Sequence, residues 1–347
     1  WAAQHRPVTR RVAGEHRLEG SLVGTAVPVA LGVGAWALGT RVVGLNELLV
    51  AVALGAVFVN VVPDAQRVIP PAWLHNRLLQ GGIVLMGATI SVEVLTTAGT
   101  RFIGVVLVSM ALTLLVAEVC ARLVLRIPGE MGSLLAGGTA VCGVSAVVAI
   151  GAAIEARREQ ITIAIATVVV LDAVTLFVYP WVGSWLQLSE MVYGMWAGLS
   201  MLSTGPVAAA GFAHSETAGQ WATVTKLARN LLIGVLIIGY AVIYRSRHTS
   251  TPGVTHQLRT LVSTFPLFII GFIVMVTLAN TGWVPSAAIA GADRLYRWCF
   301  LVGFVGFGMG IDARRLATTA WRPLAVAVLT ISVMSGVILS GLLMLYG

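Results

Sequence analysis

The sequence predicts an all-α membrane protein of about eleven transmembrane helices, and three observations carry that prediction. Of 347 residues, 58% are hydrophobic and 10% charged, with a mean hydropathy of +0.91, whereas a soluble domain carries about a quarter charged residues. Apolar runs near the length a helix needs to cross a bilayer recur from end to end. None of them alternates apolar and polar residues as the strands of a membrane barrel do.

The runs lie near 21–39, 46–62, 78–95, 102–124, 131–154, 160–186, 191–212, 219–243, 265–280, 296–311 and 323–346; they are segments 1 to 11. Several are cut by Gly or Pro, as at Pro180, Pro206 and between Gly303 and Gly310. The longest polar connector, near 244–264, is too short for a domain. The expected organisation is a polar cytoplasmic stretch over 1–18 and a single transmembrane domain over 19–347. The polar stretch carries Arg6, Arg10, Arg11 and Arg17 and shows no cleavable-signal pattern.

The net charge is +8, yet the basic residues sit in short connectors and form no single basic face, which argues against nucleic acid. With the N-terminus inside and all eleven runs crossing, loop and terminal arginines divide 14 inside to 6 outside. That asymmetry predicts a cytoplasmic N-terminus and an external C-terminus. The outside Arg157–Arg158 pair runs against the trend. Cys120, Cys142 and Cys299 all fall inside apolar runs with no metal-type spacing, so free thiols are expected.

Candidate chemistry follows in chain order. Glu118 in segment 4 is either a coupling carboxylate or a residue that snorkels toward the interface. Segment 5 holds Gly137, Gly138, Thr139, Cys142, Gly143 and Ser145. Glycines weaken a helix by about 1 kcal/mol each, and a broken membrane helix survives only where it lines a polar cavity. Freed N–H groups at the start of a half-helix favour an anion. Close packing through small residues explains the same stretch, and both readings stand. Asp172 lies mid-segment in segment 6, where a charge marks either a proton carrier or a buried ion pair.

In segment 7, Pro206 removes a backbone donor and leaves Ser203 and Thr204 to face a polar interior or to bond back to their own helix. In segment 8, Lys226 and Arg229 are a basic pair one turn apart that either holds an anion or neutralises Asp172 or Glu118. Segment 10 carries Gly303, Gly306, Gly308 and Gly310. It reads either as a second broken helix, opposite segment 5, or as packing, with Asp312 a solvated helix-end carboxylate. Two weak internal echoes, 87–101 with 308–322 and 136–149 with 197–210, hint at the inverted repeats of transporter folds.

No HExxH, GxSxG or P-loop is present, and the histidines map to connectors or segment ends. No enzyme activity and no cofactor are expected, and transport would be gradient-driven.

The stretch 137–146 resembles the Gly-Thr-x-x-Cys-Gly-x-Ser-Ala signature of the YeiH-type family of bacterial inner-membrane proteins, described as sulfate exporters. GIVLMGATIS (82–91), Tyr179-Pro180, VAAAGFAHS (207–215), TKLARNLL (225–232) and GMGIDARRLATTAWRPL (308–324) resemble that family in consistent order over roughly 45–346. The resemblance implies a bile-acid or sodium–proton antiporter-like fold: two inverted five-helix repeats, here with one extra helix, and broken helices crossing at the centre. Three positions depart from the family pattern. Its His-Asp-Thr-Ala-Gln run is replaced by Met201-Leu202-Ser203-Thr204-Gly205-Pro206, its signature Asn by Val144, and a small or apolar residue by Asp172. These departures fall where cargo and coupling ion would be held.

The expected function is secondary transport of a small anion such as sulfate, another sulfur-containing species or a carboxylate. The substrate would meet Thr139, Cys142, Gly143, Ser145, Ser203, Thr204 and Arg229, with Asp172 and Glu118 for coupling. Gly137, Gly138, Gly306, Gly308 and Gly310 would break the helices. The expected partners are the anionic solute, the lipid bilayer and, in a homodimer, a second copy. The alternative is a membrane receptor or partner subunit that binds a solute without carrying it.

Overall fold

In a computed structural model, the described residues are 26–41, 46–63, 65, 72–90, 92–244, 266–311 and 320–346. The expected polar stretch over 1–18, most of the 244–264 connector, and Asp312 lie outside them. Among the described residues there are helices and no strands.

The helices in order are α1 (26–41), α2 (Glu47–Val61), α3 (Ala72–Met86), α4 (Val92–Val119), α5 (Gly129–Ala140), α6 (Val144–Ala153) and α7 (Arg158–Trp185). They continue with α8 (Glu190–Ser200), α9 (Thr204–His214), α10 (Glu216–Asn230), α11 (Ile233–Tyr244), α12 (Phe268–Asn280), α13 (Ser286–Met309) and α14 (Trp321–Tyr346).

Four stretches are long and apolar enough to cross a membrane: Arg101–Val124, Arg158–Trp185, Glu216–Tyr244 and Trp321–Tyr346. Shorter apolar helices accompany them, among them α2, α6 and α12. Large apolar side chains such as Leu107, Leu115, Val174 and Val242 face outward, as a lipid-facing surface requires. Trp181 and Trp185 are exposed near the end of α7, where aromatic side chains suit a membrane interface.

Several expected runs are divided. Segment 3 (78–95) is two pieces, because α3 ends at Met86 and a short 3₁₀ turn, Gly87–Thr89, intervenes before α4. Segments 5 and 7 are each two short helices, α5–α6 and α8–α9.

The chain forms two compact units, one from residues up to 80 with 297–312, the other from 81–296 with 313–347. In the first, the glycine run of segment 10 serves packing. Helix α13 runs unbroken through Gly306 and Gly308 to Met309, so neither of these breaks it, contrary to the sequence expectation. A Cβ on Gly308 would stand 2.1 Å from the Val52 carbonyl oxygen, one on Gly55 2.2 Å from that of Val305, and one on Gly306 2.6 Å from His75 Cβ. Glycine lets these backbones touch. Gly310 lies just past the helix end, where its N–H donates to the Phe307 carbonyl.

The second unit centres on α8, α9 and α10. Gly194 and Gly198, four apart on α8, lie on the backbone of α10: their Cβ atoms would be 2.6 and 2.7 Å from the carbonyl oxygens of Ala218 and Ala222. Tyr179 of α7 stacks on Trp196 of α8 with centroids 4.3 Å apart. The Trp196 indole N–H donates to the Ser335 carbonyl of α14 at 3.0 Å. Helices α7, α8, α10 and α14 are thereby held together, and the site lies inside this unit.

Candidate functional site

Two interrupted helices meet in the second unit. The first interruption follows α5. Val141 leaves helical geometry, and Gly143 takes φ +62°, ψ −120° before α6 begins at Val144. Gly137 and Gly138 sit inside α5 and do not form the break. A Cβ on them would collide with Ile150 Cδ1 at 2.0 Å and Val147 Cγ2 at 2.9 Å. Their role is to let α6 fold closely against α5. The left-handed residue is Gly143, the one position here where glycine's conformational freedom is needed.

The second interruption, Met201–Ser203, separates α8 from α9. The two breaks touch, since a Cβ on Gly143 would lie 2.2 Å from Ser203 Oγ. Helix α6 folds back on α5 and α9 on α8, where Tyr193 stacks on His214 with centroids 4.0 Å apart and donates to the Ala210 carbonyl. Segments 5 and 7 are thus two hairpins that touch at their tips, rather than the crossed broken helices that the family resemblance implies.

Three buried ionisable side chains converge on this contact. Asp172, mid-way along α7 and 1% exposed, accepts the Ser203 N–H at 3.0 Å. Its carboxylate thus sits at the positive, N-terminal end of α9. Lys226, wholly buried on α10, donates to the Met201 carbonyl at 2.7 Å. Arg229, also wholly buried, donates to the carbonyls of Leu199 and Thr139. Those carbonyls belong to the last turns of α8 and α5, so both cations cover negative helix ends. Asn230 completes the set by donating to Thr204 Oγ1 at 3.0 Å.

The structure brings Thr139, Cys142, Gly143, Asp172, Ser203, Thr204 and Arg229 together, some of them through atoms other than those the sequence suggests. The Thr139 hydroxyl donates back to Leu135 of its own helix at 2.9 Å, and only its carbonyl reaches Arg229. Ser145 is exposed and pairs with the Cys142 thiol, which also meets the Ala146 N–H at the start of α6. Lys226, which the sequence reading paired with Arg229 but did not place against the substrate, lies at this contact too. Several polar atoms here are buried without a partner: Arg229 Nε, the Thr225 hydroxyl and Asn230 Oδ1. Unpartnered buried polar atoms are rare in folded proteins, and these lie together on α10.

Glu118 belongs elsewhere. Its carboxylate pairs with Arg122 at 2.5 Å and accepts from Ser133 and Tyr240 at 2.8 Å each. This network ties the end of α4 to α5 and α11, and the pair is part-exposed. Glu118→Gln is expected to cost about 1 kcal/mol, a fall of about 2 °C in melting temperature. An unchanged melt would show that the network does not support the fold.

Residues 24–327 match the family model described as conserved hypothetical protein 698. A UPF0324 membrane protein of Bartonella henselae is 32% identical over 248 residues, covering 71% of this chain and 69% of that protein. One from Agrobacterium fabrum is 29% identical over 304 residues, with 87% and 84% covered. UPF0324 membrane protein TauZ of Paracoccus denitrificans is 30% identical over 280 residues, with 79% and 80% covered. No solved structure matches the chain. With most of its length aligned to that model and to these relatives, the chain belongs to the conserved hypothetical protein 698 family, the YeiH-type family its motifs resemble.

Proposed function

We propose that this protein is a secondary transporter of a small anion across the bacterial inner membrane. The observation that carries the reading is the meeting of two interrupted helices over a buried Lys226–Arg229 pair. Irregular backbone at membrane depth is tolerated where it lines a cavity or is buried in protein, and paired half-helices are how transporters build mid-membrane ion sites. In this reading Cys142, Gly143, Ser203 and Thr204 line the meeting of the two hairpin tips, Arg229 and Lys226 attract the anion, and Asp172 couples an ion to its movement. The proposed topology has the N-terminus inside and the C-terminus outside, with segments 5 and 7 as re-entrant hairpins, since α6 folds back on α5 and α9 on α8, and the other nine segments as crossings.

The test is uptake of labelled sulfate, methanesulfonate and acetate by proteoliposomes holding the full chain, with and without an imposed proton gradient. Saturable, gradient-dependent uptake of at least one anion is expected. Saturable binding with no flux under any gradient would overturn transport in favour of a receptor.

A further inference from the structure

A half-helix that ends inside a membrane leaves the carbonyls of its last turn without partners in its own helix, and lipid supplies none. Secondary transporters built from paired half-helices meet that need with a bound coupling cation. This chain has two such ends, α5 closing at Ala140 and α8 at Ser200, and it meets them with its own side chains. The two terminal nitrogens of the Arg229 guanidinium donate to the carbonyls of Leu199 on α8 and Thr139 on α5. The two carbonyls therefore converge on one planar cation, although they belong to separate hairpins. The Met201 carbonyl, one residue past α8, accepts from the Lys226 amino group at 2.7 Å. Lys226 and Arg229 are wholly buried and lie one turn apart on α10, which touches the backbone of α8 at Gly194 and Gly198. Their nitrogens are tethered to the protein and do not leave with a cargo. Asp172, the one buried carboxylate among the described residues, is turned to the Ser203 N–H instead.

Carbonyl oxygens of two half-helix C-termini, brought within reach of one monovalent cation, make a cation site, and here a tethered guanidinium fills it. We infer that Arg229, with Lys226 beside it, takes the place of a coupling metal ion, so that anion movement through this protein needs neither sodium nor potassium. The inference rests on the anion-transporter reading. The protonation of Lys226 does not enter, because an amine and an ammonium both donate to the Met201 carbonyl, and a guanidinium keeps its charge. A sodium ion at these carbonyls would displace two charge-assisted hydrogen bonds and leave the guanidinium without acceptors in the same interior. Removing the Arg229 side chain turns the filled site into an open one, with the Thr139 and Leu199 carbonyls facing a void of the shape of a free guanidinium ion.

The test measures initial uptake of labelled sulfate, methanesulfonate and acetate by wild-type proteoliposomes under an imposed proton gradient, with sodium, potassium or N-methylglucamine as the cation on both sides. Equal rates in the three salts, within about twofold, are expected for each anion carried. A faster rate in sodium or potassium than that margin allows overturns the inference and leaves transport standing. No uptake of any anion in any salt overturns the transport reading, and the inference with it. The site itself is read by melting in detergent, in millimolar guanidinium chloride against the same concentration of N-methylglucamine chloride. Guanidinium is expected to raise the melting temperature of Arg229→Ala by about 3 °C or more and to leave wild type unmoved. Should Arg229→Ala not fold, Lys226→Ala opens the Met201 carbonyl and methylammonium is the probe, with the same expectation. No stabilisation of the folded variant by its cation, or equal stabilisation of wild type, overturns the assignment of a filled cation site.

Discussion

Arg229→Ala is expected to abolish anion uptake and to destabilise the protein by about 3–5 kcal/mol. The guanidinium is wholly buried and donates to the carbonyls of Leu199 and Thr139, which close α8 and α5. Its removal leaves two carbonyls unpaired at depth, opens a large void and unties two half-helices at once. Arg229→Lys keeps the charge and loses the fork that reaches both carbonyls, so it should be intermediate in both respects. The paired measurements are melting in detergent and initial uptake in proteoliposomes. A melt within a degree of wild type would show that Arg229 does not hold the half-helices together. Retained uptake would remove it from the anion site.

Gly143→Ala should be nearly as severe, by a different route. A side chain at φ +62° adopts a left-handed backbone that costs roughly 1–2 kcal/mol, and its Cβ would also overlap Ser203 Oγ and press on Val168, 3.0 Å away. Overpacking adds roughly 1–3 kcal/mol, for a loss of about 2–5 kcal/mol. The two contributions are separable. Adding Ser203→Gly to Gly143→Ala removes the overlap and should recover part of the melting temperature, while the backbone penalty stays. No recovery in the double variant would show that the two breaks do not touch.

Much of this site was legible in the sequence, and the misreadings share one cause. Hydropathy exposes helices that face lipid, so the long runs over Arg158–Trp185 and Trp321–Tyr346 were plain. The charges of Asp172, Lys226 and Arg229 stand out against apolar neighbours because burying them is costly. Glycine is ambiguous by nature. It permits a positive φ, as at Gly143, and it permits close approach, as at Gly137, Gly138, Gly306 and Gly308, and composition does not tell these apart. The Gly194–Gly198 pair on α8 could have been found from its four-residue spacing in an apolar run. That segment 5 meets segment 7 was not legible, because the contact joins Gly143 to Ser203 across a long loop of chain and no local pattern encodes it. Lys226 was undervalued for the same reason: its partner, the Met201 carbonyl, is a backbone atom and leaves no trace in composition.

The half-helices have one more consequence, and it is electrical. Helices α5 and α6 have 12 and 10 residues; at about 1.5 Å per residue each reaches about half-way through a hydrocarbon core of roughly 30 Å, and α6 folds back along α5. The interruption between them thus falls near mid-depth, where roughly half the transmembrane voltage has dropped. A unit charge fixed there stores about 1 kcal/mol per 100 mV. Any movement that carries Asp172, Lys226 or Arg229 along the membrane normal therefore works with or against the cell's resting potential, and the rate of that step should change with an applied voltage.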